Sequence, residues 1–103
     1  MAAGVRRVQR RRSAGWRMPT GAVYVGRPSR FGNPFIVGVD AVDRADAVKK
    51  FAAWLVANPV LLARVRRDLA GRSLACWCPL AQPCHADVLI VAAAGVDVRG
   101  WSR

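Results

Sequence analysis

Residues 74–89 read L-A-C-W-C-P-L-A-Q-P-C-H-A-D-V-L, and this stretch decides the fold. Ser73 to Trp77 is a short β-prone run bounded by polar residues, so it reads as a strand. Cys78 to Cys84 carries two prolines and reads as a loop. A helix follows, with His85, Ala86 and Asp87 in its first turn and Gly95 at its end. A strand that passes through a loop into a helix is the repeating unit of an α/β domain.

On the strand, alternation puts Cys76 and Cys78 on one face and Trp77 on the other. Cys84 and His85 arrive at the helix N-terminus, where the positive end of the dipole favours a thiolate. Three readings follow. Cys76, Cys78, Cys84 and His85 together form a tetrahedral zinc set, although C-x-C and an adjacent Cys-His pair are tighter than the common C-x-x-C knuckle. Alternatively Cys84 is a catalytic thiolate, with His85 as base or orienting partner and Asp87 nearby. In the third, Cys76 and Cys78 are small core residues and His85 caps a helix at the surface. An odd count of three cysteines with no secretory segment argues against a disulfide framework. All six acids are Asp and the chain has no Glu. That excludes the H-E-x-x-H metalloproteases and the H-x-E zinc deaminases.

Upstream, Asn58-Pro59 opens a helix that buries Leu61, Leu62, Val65 and Leu69 and stops at Gly71. An earlier helix starts at Asp40 or Asp43 and runs to about Asn58, with Ala47, Val48, Phe51, Trp54 and Leu55 as its apolar stripe. Ala22 to Val25 reads as strand one, Phe35 to Val37 as a short second strand, and Val96 to Val98 as a last edge strand. These elements predict an α/β fold: a small single domain over residues 18–103, with a short, mostly parallel sheet flanked by about three helices.

Strand one runs into R-P-S-R-F-G-N-P-F (27–35), a loop of turn formers that offers two arginines. Gly26, Arg27, Ser29, Arg30, Gly32 and Asn33 make it a candidate cradle for phosphate or carboxylate. It is neither a Walker nor a Rossmann loop. The bland alternative is a rigid turn in which Ser29 and Asn33 bond their own backbone. Both loops leave the C-terminal ends of strands, where open α/β sheets bind ligands. Parallel pairing of the strands before them would set Arg27, Arg30, Asn33, Cys78, Cys84, His85 and Asp87 around one crevice.

The chain has 103 residues and a formal net charge of +11, room for one domain. Residues 1–17 hold six arginines and no acid. They read as a disordered leader, either a basic arm for phosphate backbones or a segment upstream of a true start at Met18. Trp54 and Trp77 read as core or pocket wall, Trp16 and Trp101 as tail residues. No run reaches the roughly 18 apolar residues of a membrane span, and no secretory pattern opens the chain, so a cytoplasmic location is expected.

Three segments, V-Y-V-G-R-P-S-R-F-G-N-P-F (23–35), F-A-A-W-L (51–55) and residues 74–89, resemble the domain of unknown function family 4326 of bacteria and their phages. The resemblance spans about residues 22–91 and leaves the basic leader outside. It implies a compact intracellular α/β domain whose two loops are signature positions, and it implies no activity. The expected function is binding of an anionic, phosphate-bearing partner, nucleotide or nucleic acid, between the loops. A cysteine-dependent enzyme on a nucleotide-like substrate and a zinc-stabilised nucleic-acid-binding module are the alternatives.

Overall fold

The computed structural model describes residues 5–102. Three short strands, β1 (Arg7–Gln9), β2 (Val23–Tyr24) and β3 (Leu74–Cys76), form a parallel sheet in the order β1-β3-β2. Val8 and Tyr24 both stand opposite Ala75, one on each side of the central strand. All three residues of β3 are buried. Its backbone groups therefore need partners on both edges, since buried N–H and C=O groups are rarely left unpaired. Val25 N–H donates to Ala75 O and Arg10 N–H to Cys76 O, extending the ladders one residue beyond the named strands.

That requirement corrects the reading of the leader. Residues 7–9 form an edge strand where a disordered tail is expected, and the first four residues of that leader lie outside the described ones. The strand hides a single apolar residue, Val8, which is too little for any periodicity to show. Two other expected strands are absent among the described residues. Phe35 to Val37 forms no ladder: Ile36 O accepts the N–H groups of Val39, Asp40 and Ala41 in a tight turn, and Val37 makes only an isolated bridge to Ala41. Val96 to Val98 is irregular. Trp101, expected in a tail, is buried with Val98 in the core.

The helices fall where the apolar periodicity puts them: α1 (Arg44–Val56), α2 (Pro59–Leu69) and α3 (His85–Ala93). Asp43 caps α1, its Oδ1 accepting from Asp46 N–H at 2.8 Å. Proline stands at the first position of α2, where its missing N–H costs nothing. Gly95, at φ +91°, takes the left-handed conformation that ends α3. α3 is apolar nearly all round because it packs against α1, α2 and β3 at once. Phe51, Leu55, Val65, Leu69, Leu74, Val88 and Leu89 are the fully buried centre. Among the described residues no helix is long and apolar enough to cross a membrane.

Candidate functional site

Parallel strands end at the same edge of a sheet, so the segments leaving β2 and β3 emerge side by side. Tyr24, Gly26 and Arg27 from the first and Cys76, Trp77 and Cys78 from the second line a cavity of about 430 Å³. Arg44, Ala47 and Val48 of α1 and Cys84 with His85 at the start of α3 complete its walls. Gly26 is needed here for its missing side chain: a Cβ would collide with the Tyr24 ring, whose hydroxyl donates to Arg27 O at 2.7 Å.

The 27–35 loop mostly holds itself. Arg27 Nε donates to Asn33 O at 2.8 Å and an Arg27 terminal nitrogen to Phe35 O at 3.2 Å. Buried Asn33 donates through Nδ2 to Ala47 O at 3.1 Å and accepts from Phe35 N–H at 2.9 Å, tying the loop to α1. Of the six residues predicted to bind ligand, Gly26, Arg27 and Asn33 line the cavity; Ser29, Arg30 and Gly32 do not. Ser29 N–H bonds Gly26 O and Gly32 N–H bonds Ser29 O, and these successive turns curl that part of the loop away from the crevice.

The second segment is arranged differently. The Cys76, Cys78 and Cys84 sulfurs all lie within 4.8 Å of one another, and all three cysteines are free. Three cysteines are thus close enough to hold a metal ion. Cys76 and Cys84 are buried, with their sulfurs 3.0 Å apart, and Cys78 is half-buried. The cluster has a defined charge pattern. Hydrogen bonds from the Cys76 and Cys84 thiols hold the Cys78 thiol far below its usual range, and positive Arg44 adds to the effect. Cys76 is pushed up by the hydrogen bonds it shares with Cys78 and Cys84 and then by burial. For Cys84 the hydrogen bond with Cys76 pulls downward, but the bond to Cys78 together with burial outweighs it.

His85 is buried, not the surface cap of the third sequence reading. Its Nε2 lies 2.8 Å from Val25 O, and a carbonyl only accepts, so Nε2 carries the proton and Nδ1 a lone pair. That lone pair lies 3.7 Å from Cys84 Sγ. Burial pushes the imidazole's pKa down against the pull of Val25 O, which keeps the ring neutral. His85 lies outside the three-sulfur cluster that meets the distance for a shared metal.

The expected trio of Cys84, His85 and Asp87 is not assembled. Asp87 faces Arg7, 3.5 Å away, and borders a separate hollow beside Ile90 and Trp101. Residues two apart on a helix point in nearly opposite directions, so Asp87 cannot follow His85 into the crevice. Among the lining residues that escaped the sequence reading as site residues are Tyr24, Phe35 and Arg44. Tyr24 stands two residues before Gly26 on a parallel strand, and that adjacency was the available signal. Arg44 carried none, being indistinguishable in sequence from a solvent-facing helix arginine.

A family model described as a domain of unknown function (DUF4326) matches residues 8–95. The match begins at Val8 inside β1, so most of that strand lies within the family region that the 23–35 and 74–89 motifs mark. No curated protein and no solved structure matches the chain.

Proposed function

The chain belongs to the DUF4326 family, and from the crevice itself we propose that it binds a small phosphate-bearing ligand of nucleotide type there. One observation carries this reading: Arg27 and Arg44 line the same cavity as the rings of Tyr24, Phe35 and Trp77. Guanidinium groups match phosphate oxygens, and aromatic walls suit a base. Arg44 has no carboxylate partner among the described residues; besides Cys78, whose thiol it helps hold down, its charge is open to an anion. The volume falls within the range of small-molecule sites. Calorimetric titration with nucleoside monophosphates and the matching nucleosides tests it. The monophosphate should bind at least tenfold tighter, and Arg44→Gln should erase most of that difference. Equal affinity for both, or no binding of either, overturns the reading.

A second reading rests on the sulfur cluster. Cys76, Cys78 and Cys84 are a soft donor set suited to zinc. Tetrahedral zinc–thiolate bonds of about 2.3 Å place sulfurs about 3.8 Å apart. The Cys76–Cys84 pair would have to open by less than an ångström from its 3.0 Å separation. Bound there, zinc would tie β3 to the start of α3 and supply a Lewis acid at the crevice floor. Arg27 and Arg44 would still orient the anion, and neutral His85 would offer Nδ1 beside Cys84. Metal analysis with native mass spectrometry should find one zinc per chain. Metal-free protein purified under reducing, chelator-free conditions refutes it.

A further inference from the structure

β1 ends at the same edge as β2 and β3, because the three strands are parallel. The residues leaving it therefore stand beside the crevice. Arg10 Cζ lies 4.8 Å from the centroid of the Tyr24 ring and 4.9 Å from that of Trp77. Arg12 Cζ lies 4.8 Å from Trp77. Both rings also line the cavity, so the guanidinium groups continue its wall outward along the rim. Trp77 keeps 40% of its surface exposed beside these two cations.

These arginines are not neutralised. Neither Arg10 nor Arg12 has an acidic partner among the described residues, whereas Arg7, Arg67 and Arg99 do. The Nε of Arg10 is buried with no hydrogen-bond partner. A guanidinium packed on a ring presents its N–H groups edgewise, the direction from which phosphate oxygens approach. The arrangement is a row of cations interleaved with aromatic rings, leading away from a cavity with room for a single nucleotide. That pairing of charge and stacking surface is what single strands of nucleic acid require.

We propose that the crevice receives the end of a single-stranded nucleic acid. The terminal nucleotide enters the cavity, the next phosphates lie on Arg10 and Arg12, and an adjoining base stacks on Trp77. This inference rests on the nucleotide reading of the crevice and extends it to the polymer.

The full chain is titrated with a short oligothymidylate, a short oligouridylate, the corresponding mononucleotides and polyglutamate, each over a range of salt. Either oligonucleotide should bind at least tenfold tighter than its mononucleotide, with polyglutamate weaker than both strands. The double variant Arg10→Gln/Arg12→Gln should lose tenfold or more in strand affinity. Its salt dependence should flatten by about 1.4 in log–log slope, about 0.7 for each lost phosphate contact on a single strand. Should that variant fold poorly by circular dichroism, Arg12→Gln alone, at an exposed position outside the sheet, should flatten the slope by about 0.7. Trp77→Ala should weaken the strand more than the mononucleotide. Mononucleotide binding with no gain from the longer strand overturns the polymer proposal and leaves the crevice reading standing. Failure of strand and mononucleotide alike overturns both. Polyglutamate binding as tightly as the strands would show a non-specific polyanion surface and overturn the proposal too.

Discussion

The two loops that border the crevice use their polar groups in opposite ways. In the 27–35 loop, Arg27 and Asn33 satisfy backbone carbonyls and amides of the loop and of α1, so the polar residues are chiefly its framework. In the 76–85 segment the three sulfurs bond chiefly to one another, with the His85 Nδ1 lone pair 3.7 Å from Cys84 Sγ. Framework for that segment comes from elsewhere. Arg7 donates to Leu80 O at 2.6 Å and sits opposite Asp87, bracing the loop against β1 and α3. Two motifs of similar polar content thus divide the work: one builds a wall, the other gathers its reactive atoms into one cluster.

The largest break in this contrast should come from removing the brace. A chain beginning at Met18 lacks β1, exposes one edge of β3 and removes Arg7 from the second loop. An unpaired edge invites association with other chains. The expected outcome is loss of the cooperative thermal transition or conversion to oligomers, read by calorimetry and size-exclusion chromatography. A monomer with the full-length Tm would show that β1 braces nothing. Next in size is Cys84→Ser, which should abolish zinc retention while leaving the far-UV circular dichroism of the helices in place. Retention of one zinc per chain by this variant would remove the sulfur cluster from the argument.

How far the sequence announced this division depends on the physics of each residue. The three helices, strands β2 and β3 and the meeting of both loops at one sheet edge were legible, because apolar stripes and caps are local signals. Phe51 and Leu55 lie where the helical period places them. The strand β1 was not legible, since three residues with one apolar side chain carry no period and the demand for it arises in β3. Asp87 could have been set aside from helix geometry alone. The self-satisfaction of Asn33 was foreseen only in the bland alternative, which paired it with Ser29. Ser29 Oγ is buried without a partner among the described residues and Arg27 bonds the loop instead, because a loop arginine's partner is fixed by tertiary contacts. The proximity of three sulfurs was suggested by strand alternation for Cys76 and Cys78; bringing Cys84 to them required the turn of the intervening loop.

A middle-sized effect separates framework from chemistry within one variant. Asn33→Ala leaves Phe35 N–H without its 2.9 Å acceptor and frees the loop from Ala47. Removing one partner of a buried hydrogen bond costs about 1–3 kcal/mol. Urea denaturation should show that loss, while zinc content stays at the wild-type value. Equal loss of stability and metal would mean that the two loops are one cooperative unit, and the contrast between them would fail.

The smallest effect probes the footing on which the first loop rests. Asn33 is anchored to the first turn of α1, and Arg44 leaves that same turn for the crevice. The turn is held by two carboxylates: Asp43 accepts from Asp46 N–H, and Asp46 accepts from Val42 N–H at 3.0 Å. The bond from Val42 holds the Asp46 pKa below its usual 3.8, with Lys50 contributing. A carboxyl whose folded-state pKa is depressed adds stability above its unfolded pKa and loses it as pH falls through the folded value. Asp46→Asn should therefore lower Tm slightly at neutral pH. The gap to wild type should close once the pH drops well below 3.8, where the wild-type carboxyl is protonated as well. A gap that persisted there would mean that shape, not charge, makes Asp46 useful. A gap accompanied by weaker nucleotide binding at neutral pH would place the first turn of α1, and Arg44 with it, among the parts of the site that must be held still.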